Sequence, residues 1–260
     1  MTSGVLEVEN LTVQFGAVRA LADVAFRVQP GTIHSVIGPN GAGKSSLLNV
    51  LSGVYRPQQG SVRWGGRELT GLRPDQITRL GVGRCFQNLS RRTDQTVLDS
   101  IMLGRHALMR HAVLAHGFAL PVARREERVH RERVAEIAEF VDLSRLLHVP
   151  VAELSYGHQK KVDLARALAS EPRLLLLDEP AAGMSSGEKR QITQLVRSVV
   201  ASLGTTVLLV EHDMEMVMGL SDRITVLNFG RLISEGTPDE IQEDPAVVDA
   251  YLGQPAEDRR

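Results

Sequence analysis

Apolar and polar residues alternate near the start of the chain: Leu6 and Val8, then Leu11, Val13 and Phe15, and again Val24, Phe26 and Val28. A period of two predicts half-buried β-strands, with Pro30-Gly31 as the turn that ends the second. Thr32 to Ile37 is a short strand candidate that runs into a glycine-rich loop, Gly38 to Gly43. A helix is expected over Lys44 to about Ser52, and Ser61 to Trp64 predicts a short strand before Gly65-Gly66.

The middle of the chain changes period. From Val97 to Val141 the pattern is helical, with breaks expected near Gly117 and Pro121. Val134, Ile137, Ala138 and Val141 form a buried helical stripe, and Arg124 to Arg133 is a charge cluster. Further on, Leu174 to Leu177 is a continuous apolar run ending at Asp178, followed by an amphipathic helix through Ile192, Leu195, Val196, Val199, Val200 and Leu203. Thr206 to Val210 and Arg223 to Asn228 read as two more strands. Apolar strands without alternation, separated by helices, predict a parallel sheet covered on both faces. The helical block then reads as an insertion into one α/β core, and no repeat, low-complexity segment or linker interrupts it.

Composition narrows the classes. The 260 residues are 43% hydrophobic and 23% charged, which excludes a wholly disordered chain. Thirty bases against 31 acids give a net charge of −1, so there is no bulk attraction to nucleic acid or to an acidic membrane surface. The one cysteine, Cys85, cannot close an intrachain disulfide. No apolar run approaches the roughly 18 residues of a spanning helix. Met1 to Asn10 holds two acids and no base, unlike a secretory signal, and a cytosolic protein is expected.

Gly38-Pro39-Asn40-Gly41-Ala42-Gly43-Lys44-Ser45 fits the phosphate-loop pattern Gly-x4-Gly-Lys-Ser/Thr. Glycines let backbone N–H groups approach triphosphate oxygens, and the following helix adds the positive end of its dipole. Lys44 is expected at the β- and γ-phosphates of a triphosphate and the Ser45 hydroxyl on Mg²⁺. The apolar strand ending at Asp178 would set a carboxylate at the C-terminal edge of the sheet, where open α/β sheets bind ligands. Asp178 is expected to hold Mg²⁺, and Glu179 to orient or deprotonate the attacking water.

With these motifs stand three more. Leu154-Ser155-Tyr156-Gly157-His158 resembles the signature loop of ABC-type ATPases, Gln87 sits where that family has its Q-loop, and His212 where it has its switch histidine. The resemblance runs from Val5 to Gly253. It implies an α/β fold: a phosphate-loop NTPase core with a mostly parallel sheet, an N-terminal antiparallel β subdomain and an inserted α-helical subdomain. The implied division is a core of 1–90 and 160–235, a helical subdomain of about 91–159, C-terminal helices over 237–253 and a tail over 254–260. It implies nucleotide contacts from Phe15 (stacking on adenine), Gly38, Pro39, Asn40, Gly41, Ala42, Gly43, Lys44, Ser45, Ser46, Ser155 and Gly157. Catalytic roles fall to Glu179, His212 and Gln87, and metal contacts to Ser45, Gln87 and Asp178.

The resemblance also implies partners. Ser155 and Gly157 of one subunit would face the γ-phosphate on another's phosphate loop, so the working unit is a head-to-tail pair, homo- or heterodimeric. The helical subdomain would receive membrane permease subunits, placing the chain on the cytoplasmic face of the cell membrane. Gly104 to Arg133 holds seven arginines, four histidines and three glutamates, and Val113 to Val122 is apolar; a patch of this kind suits such a contact and, lacking interleaved aromatics, not nucleic acid. Within the family, Val97 to His106 with its Gly104-Arg105-His106, Ala181-Ala182-Gly183-Met184 and Val248 to Gly253 resemble the ATPases of branched-chain amino-acid importers. Urea or amide importers and lipopolysaccharide exporters share much of this pattern, and a non-hydrolysing ATP-binding regulator is the alternative from another class. Tyr156 and His158 depart from the common signature, and Ser185 stands where many relatives carry Asp.

Overall fold

A computed structural model describes residues 4–85, 95–108 and 121–252. An antiparallel sheet, order β2-β1-β4-β5, is formed by β1 (Leu6–Phe15), β2 (Val18–Val28), β4 (Gln59–Trp64) and β5 (Arg67–Glu68). The second sheet has the order β10-β9-β3-β8-β7-β6 and contains β3 (Ile33–Ile37), β6 (Val82–Cys85), β7 (Leu174–Asp178), β8 (Thr206–Val210), β9 (Arg223–Asn228) and β10 (Arg231–Gly236). All its pairings are parallel except that of β10 with β9.

The continuous apolar run of β7 has a direct explanation. Leu174 and Leu176 face one side, with Leu208 and Val210 of β8, against helix α1 (Lys44–Leu51) and the inner face of the antiparallel sheet. Leu175 and Leu177 face the other side, with Val207 and Leu209, against the helical part of the molecule. Every residue of β3, β7 and β8 is therefore buried. At about 2 kcal/mol per buried leucine, the leucines of β7 are a large part of what holds the centre of the fold together.

The helical part comprises α3 (Val97–Arg105), α4 (Pro121–Phe140) and α5 (Tyr156–Leu168), and α5 runs across residue 159. The stripe Val134, Ile137, Ala138 and Val141 is buried against α3 and α5. Pro121 opens α4, a position where its missing N–H costs nothing, while the break expected at Gly117 lies outside the described residues. Arg105 explains part of the Gly104-Arg105-His106 motif. Its buried guanidinium donates from Nε to His130 Nδ1 (2.8 Å) and from Nη1 to the Ala169 carbonyl and Glu171 Oε1 (both 3.0 Å), tying α3 to α4 and to the turn before β7.

Several elements go beyond the sequence pattern: α2 (Pro74–Arg79), β5, β6, α7 (Met214–Leu220) and the hairpin strand β10. The amphipathic helix is α6 (Ser186–Leu203), and α8 (Pro238–Glu243) and α9 (Pro245–Leu252) close the described chain. Among the described residues no helix is long and apolar enough to cross a membrane.

Candidate active site

The loop between β3 and α1 owes its shape to two glycines. Gly38 has φ 149° and Gly43 φ 104°, and a Cβ at Gly38 would overlap the Leu227 carbonyl oxygen, while one at Gly43 would lie 2.5 Å from that of Ala20. The loop is sewn down by Ala42 N to Pro39 O (3.1 Å) and by Gly230 N to Ala42 O (3.0 Å), the latter reaching the β9–β10 turn. Gly38, Pro39 and Ala42 are buried, whereas Asn40, Gly41 and Ser45 are exposed and Ser46 is half-buried. Helix α1 begins with no side-chain cap and no acid in its first turn, leaving its amide donors open to an anion.

Lys44 is buried and donates from Nζ to the carbonyls of Gly38 (2.6 Å) and Pro39 (2.9 Å). Burial lowers its pKa, and the nearby Glu179 and Asp178 carboxylates act in the opposite direction. Asp178, at the end of β7, is 8% exposed. Burial raises its pKa; the Arg84 guanidinium, 3.1 Å from Oδ2, opposes this.

Glu179 follows in a left-handed conformation, φ 47°, with its amide donating to Val210 O at 2.8 Å. A non-glycine residue held there is a strained feature of the kind that gathers at functional sites. His212, just past β8, is exposed, and its Nδ1 lies 3.8 Å from Glu179 Oε1. Lys44, Asp178, Glu179 and His212 therefore meet at one rim of the parallel sheet.

Two residues of this rim were not singled out in the sequence. Glu211 is fully buried and accepts from the Ala181 amide (2.9 Å) and the His212 amide (3.0 Å), fixing the loop after Glu179 to the loop that carries His212. Arg84 joins Asp178 to Asn49 and Ser52 of the α1 end. A charged residue directly after an apolar strand, beside a candidate catalytic histidine, was the available signal for Glu211. Arg84 sits in a four-residue strand with no period to reveal it.

The signature loop is organised separately. Ser155 caps α5, its Oγ accepting from the His158 amide at 3.4 Å and lying 3.0 Å from His158 Nδ1. Gly157 lies against Glu188, where a Cβ would overlap the carboxylate. Tyr156, one of the departures, donates its hydroxyl to the Ala182 carbonyl at 3.0 Å and so reaches the loop after Glu179. Ser185, another departure, caps α6 in a reciprocal pair with Glu188. Among the described residues, the cavity of about 230 Å³ beside this loop is lined by Ser155, Gly157, His158 and Glu188 with no residue of the phosphate loop. Phe15, at the end of β1, is 46% exposed and packs edge-on against Tyr55, centroids 5.0 Å apart. Gln87 lies outside the described residues.

The donor set fits a magnesium–triphosphate. An open helix N-terminus and a lysine suit phosphate oxygens, while an exposed hydroxyl and a buried carboxylate suit a hard cation. Among the described residues no group of three His, Cys, Asp or Glu could hold a metal alone, so a cation here would take its other ligands from phosphate and water.

Comparison with known proteins agrees. Residues 21–182 match the family model described as ABC transporter, and residues 231–257 one described as branched-chain amino acid ATP-binding cassette transporter. The chain is 39% identical, over 98% of its length and the whole of the relative, to the high-affinity branched-chain amino acid transport ATP-binding protein BraF of Pseudomonas aeruginosa. Its fold matches that of a nucleotide-free ATP-binding cassette from an ABC transporter with a TM-score of 0.85 at 31% identity, covering 96% of this chain and 100% of that one. It also matches a dimeric, post-hydrolysis ATP-binding cassette bound to ADP and Pi, with a TM-score of 0.74 at 28% identity over 90% of this chain and 98% of that one. The phosphate loop, the acidic pair at the end of β7 and the full-length similarity lead to one conclusion: the chain belongs to the ABC transporter ATP-binding family and is an ATPase that uses ATP and Mg²⁺.

Proposed function

We propose that the chain is the ATP-hydrolysing subunit of an importer for branched-chain amino acids or a related small polar solute, acting on the cytoplasmic face of the cell membrane. The observation that carries the reading is the convergence of Lys44, Asp178, Glu179 and His212 on one sheet rim behind an uncapped helix N-terminus. The solute class comes from the name of the relative in Pseudomonas aeruginosa and from the C-terminal family match.

In this reading the amides of Gly38 to Ser46 bind the phosphates, Lys44 neutralises their β and γ charge, and Phe15 offers its exposed face to adenine. Ser45 and Asp178 hold Mg²⁺ together with Gln87. The cation, when bound, neutralises charge on the phosphate oxygens. Glu179 orients the attacking water and accepts its proton; His212 steadies Glu179 and donates to the γ-phosphate. Ser155 and Gly157 serve the γ-phosphate of a second subunit, so ATP closes a pair and hydrolysis releases it. The helical subdomain, about 91–159, conveys that movement to separate permease subunits.

Steady-state phosphate release tests the enzymatic part: the purified chain with its permeases should release phosphate, and Lys44→Ala should not. No activity above that control would make the chain a non-hydrolysing regulator. Uptake of labelled leucine, restored in a deletion strain by the parental chain and not by Lys44→Ala, tests the solute. Active ATPase without leucine, isoleucine or valine uptake would assign another cargo.

A further inference from the structure

Arg84 is a buried side chain that donates to side chains of two different elements. Nη1 donates to Asn49 Oδ1 (2.7 Å) and Ser52 Oγ (2.8 Å), at the C-terminal end of α1, and Nη2 donates to Asp178 Oδ2 (3.1 Å), at the end of β7. The side chains of Arg84 and Asp178 are both 8% exposed. Ser52 is itself fixed, its hydroxyl donating to the Leu48 carbonyl at 2.8 Å. The first turn of α1 carries Lys44 and Ser45. One guanidinium thus bridges the helix that bears Ser45 to the strand that bears Asp178.

We propose that Arg84 is a positioning residue for the divalent cation: it fixes the separation of Ser45 and Asp178 and holds Asp178 through Oδ2, leaving Oδ1 for the metal shell. The inference rests on the reading of Ser45 and Asp178 as the Mg²⁺ contacts. Only a planar fork can satisfy two acceptors on one element and a carboxylate on another at once; a lysine ammonium is a point donor on a flexible stem. A buried ion pair is weak grounds for a purely stabilising role, because well-packed apolar residues often serve as well. Here the pair includes the carboxylate on which the metal depends, and side chains that orient a metal ligand from behind tune its affinity. The guanidinium charge itself repels a cation, so geometry must outweigh repulsion.

Arg84→Lys separates the two effects, since it keeps the charge and loses the fork. The full chain is titrated with a fluorescent ATP analogue in EDTA and over a range of Mg²⁺ concentrations. The expected result is unchanged affinity in EDTA, with the Mg²⁺ concentration for half-maximal tightening raised about tenfold or more. Arg84→Met is expected to do the same and to lower the thermal midpoint; should it not fold, Arg84→Lys decides alone. Equal loss of affinity with and without Mg²⁺, an unchanged Mg²⁺ midpoint, or a lower one would overturn the proposal. Asp178→Asn distinguishes the two levels. If it leaves the Mg²⁺-dependent tightening intact, the assignment of Asp178 is at fault. If it abolishes the tightening while Arg84→Lys preserves it, only the role of Arg84 fails.

Discussion

His34 lies in β3, four residues before the phosphate loop, and its burial makes stability depend on pH. It is 1% exposed, its Nε2 is 2.8 Å from Thr225 Oγ1 on β9, and its ring stands against that of Phe26. Burial, with the charge of Arg223 added, lowers its pKa from 6.5 to about 4. A depressed histidine pKa means that the unfolded chain takes up the proton first. Stability from the neutral imidazole is thus complete above pH 6.5 and declines as pH falls towards 4. At about 1.36 kcal/mol per pH unit, the full loss is about 3 kcal/mol, with about 2 kcal/mol gone by pH 5. His34→Gln removes the titration while keeping a polar side chain for Thr225. Urea unfolding of both proteins between pH 8 and pH 4.5 isolates the effect, because every other titrating group cancels in the difference. The parental advantage should shrink by about 2 kcal/mol between pH 7.5 and pH 5. A difference between the two proteins that stays constant over this range would refute the reasoning.

Glu179→Gln should bind Mg-ATP, lose hydrolysis and accumulate as a closed pair; size-exclusion chromatography showing a monomer, or phosphate release at the parental rate, would contradict the general-base assignment. Gly38→Ala places a methyl against the Leu227 carbonyl at a left-handed φ and should cost about 2 kcal/mol or more, with loss of the thermal shift produced by ATP. Glu211→Gln keeps one acceptor and replaces the other by an amide donor facing a backbone N–H. It should cost about 1–3 kcal/mol in unfolding experiments and lower kcat more than nucleotide affinity, because Glu179 and His212 lose their common support.

The central sheet was legible because burial on both faces favours unbroken apolar runs such as Leu174 to Leu177 and Val207 to Val210, with buried polar exceptions like His34 and Ser35 paired to neighbouring hydroxyls. The phosphate loop was legible because close backbone approach demands glycine at Gly38 and Gly43. β2 begins earlier than its alternation suggests, since Asp23 sits at φ 57° and the pairing with β1 shifts register between Leu11 and Val13. Alternation cannot be read through an irregularity that only the partner strand defines. β6 was invisible for a related reason. Val82-Gly83-Arg84-Cys85 has no strand period of its own and is held by pairing with β7, from Val82 with Leu174 to Cys85 with Leu177. Arg84 and Glu211 were missed because their importance lies in what they touch across 94 and 30 positions of sequence, which no local pattern encodes.

The departures at Tyr156 and Ser185 become intelligible from the contacts around the loop after Glu179. That loop is held at three places: Glu211 accepts its Ala181 amide, Tyr156 donates to its Ala182 carbonyl, and Ser185 ends it as the cap of α6. A glycine at position 156 could not make the second contact, and the hydroxyl of Ser185 makes the third in exchange with Glu188, the residue that also lies against Gly157. The segment from Glu179 to Ser185 is therefore fastened at one end to the strand that precedes His212 and at the other to the signature helix. A displacement of α5 is passed to the segment that follows Glu179 unless both Tyr156–Ala182 and Gly157–Glu188 give way. The aromatic hydroxyl and the cap thus provide, within one chain, a tether between the signature loop and the rim of the sheet.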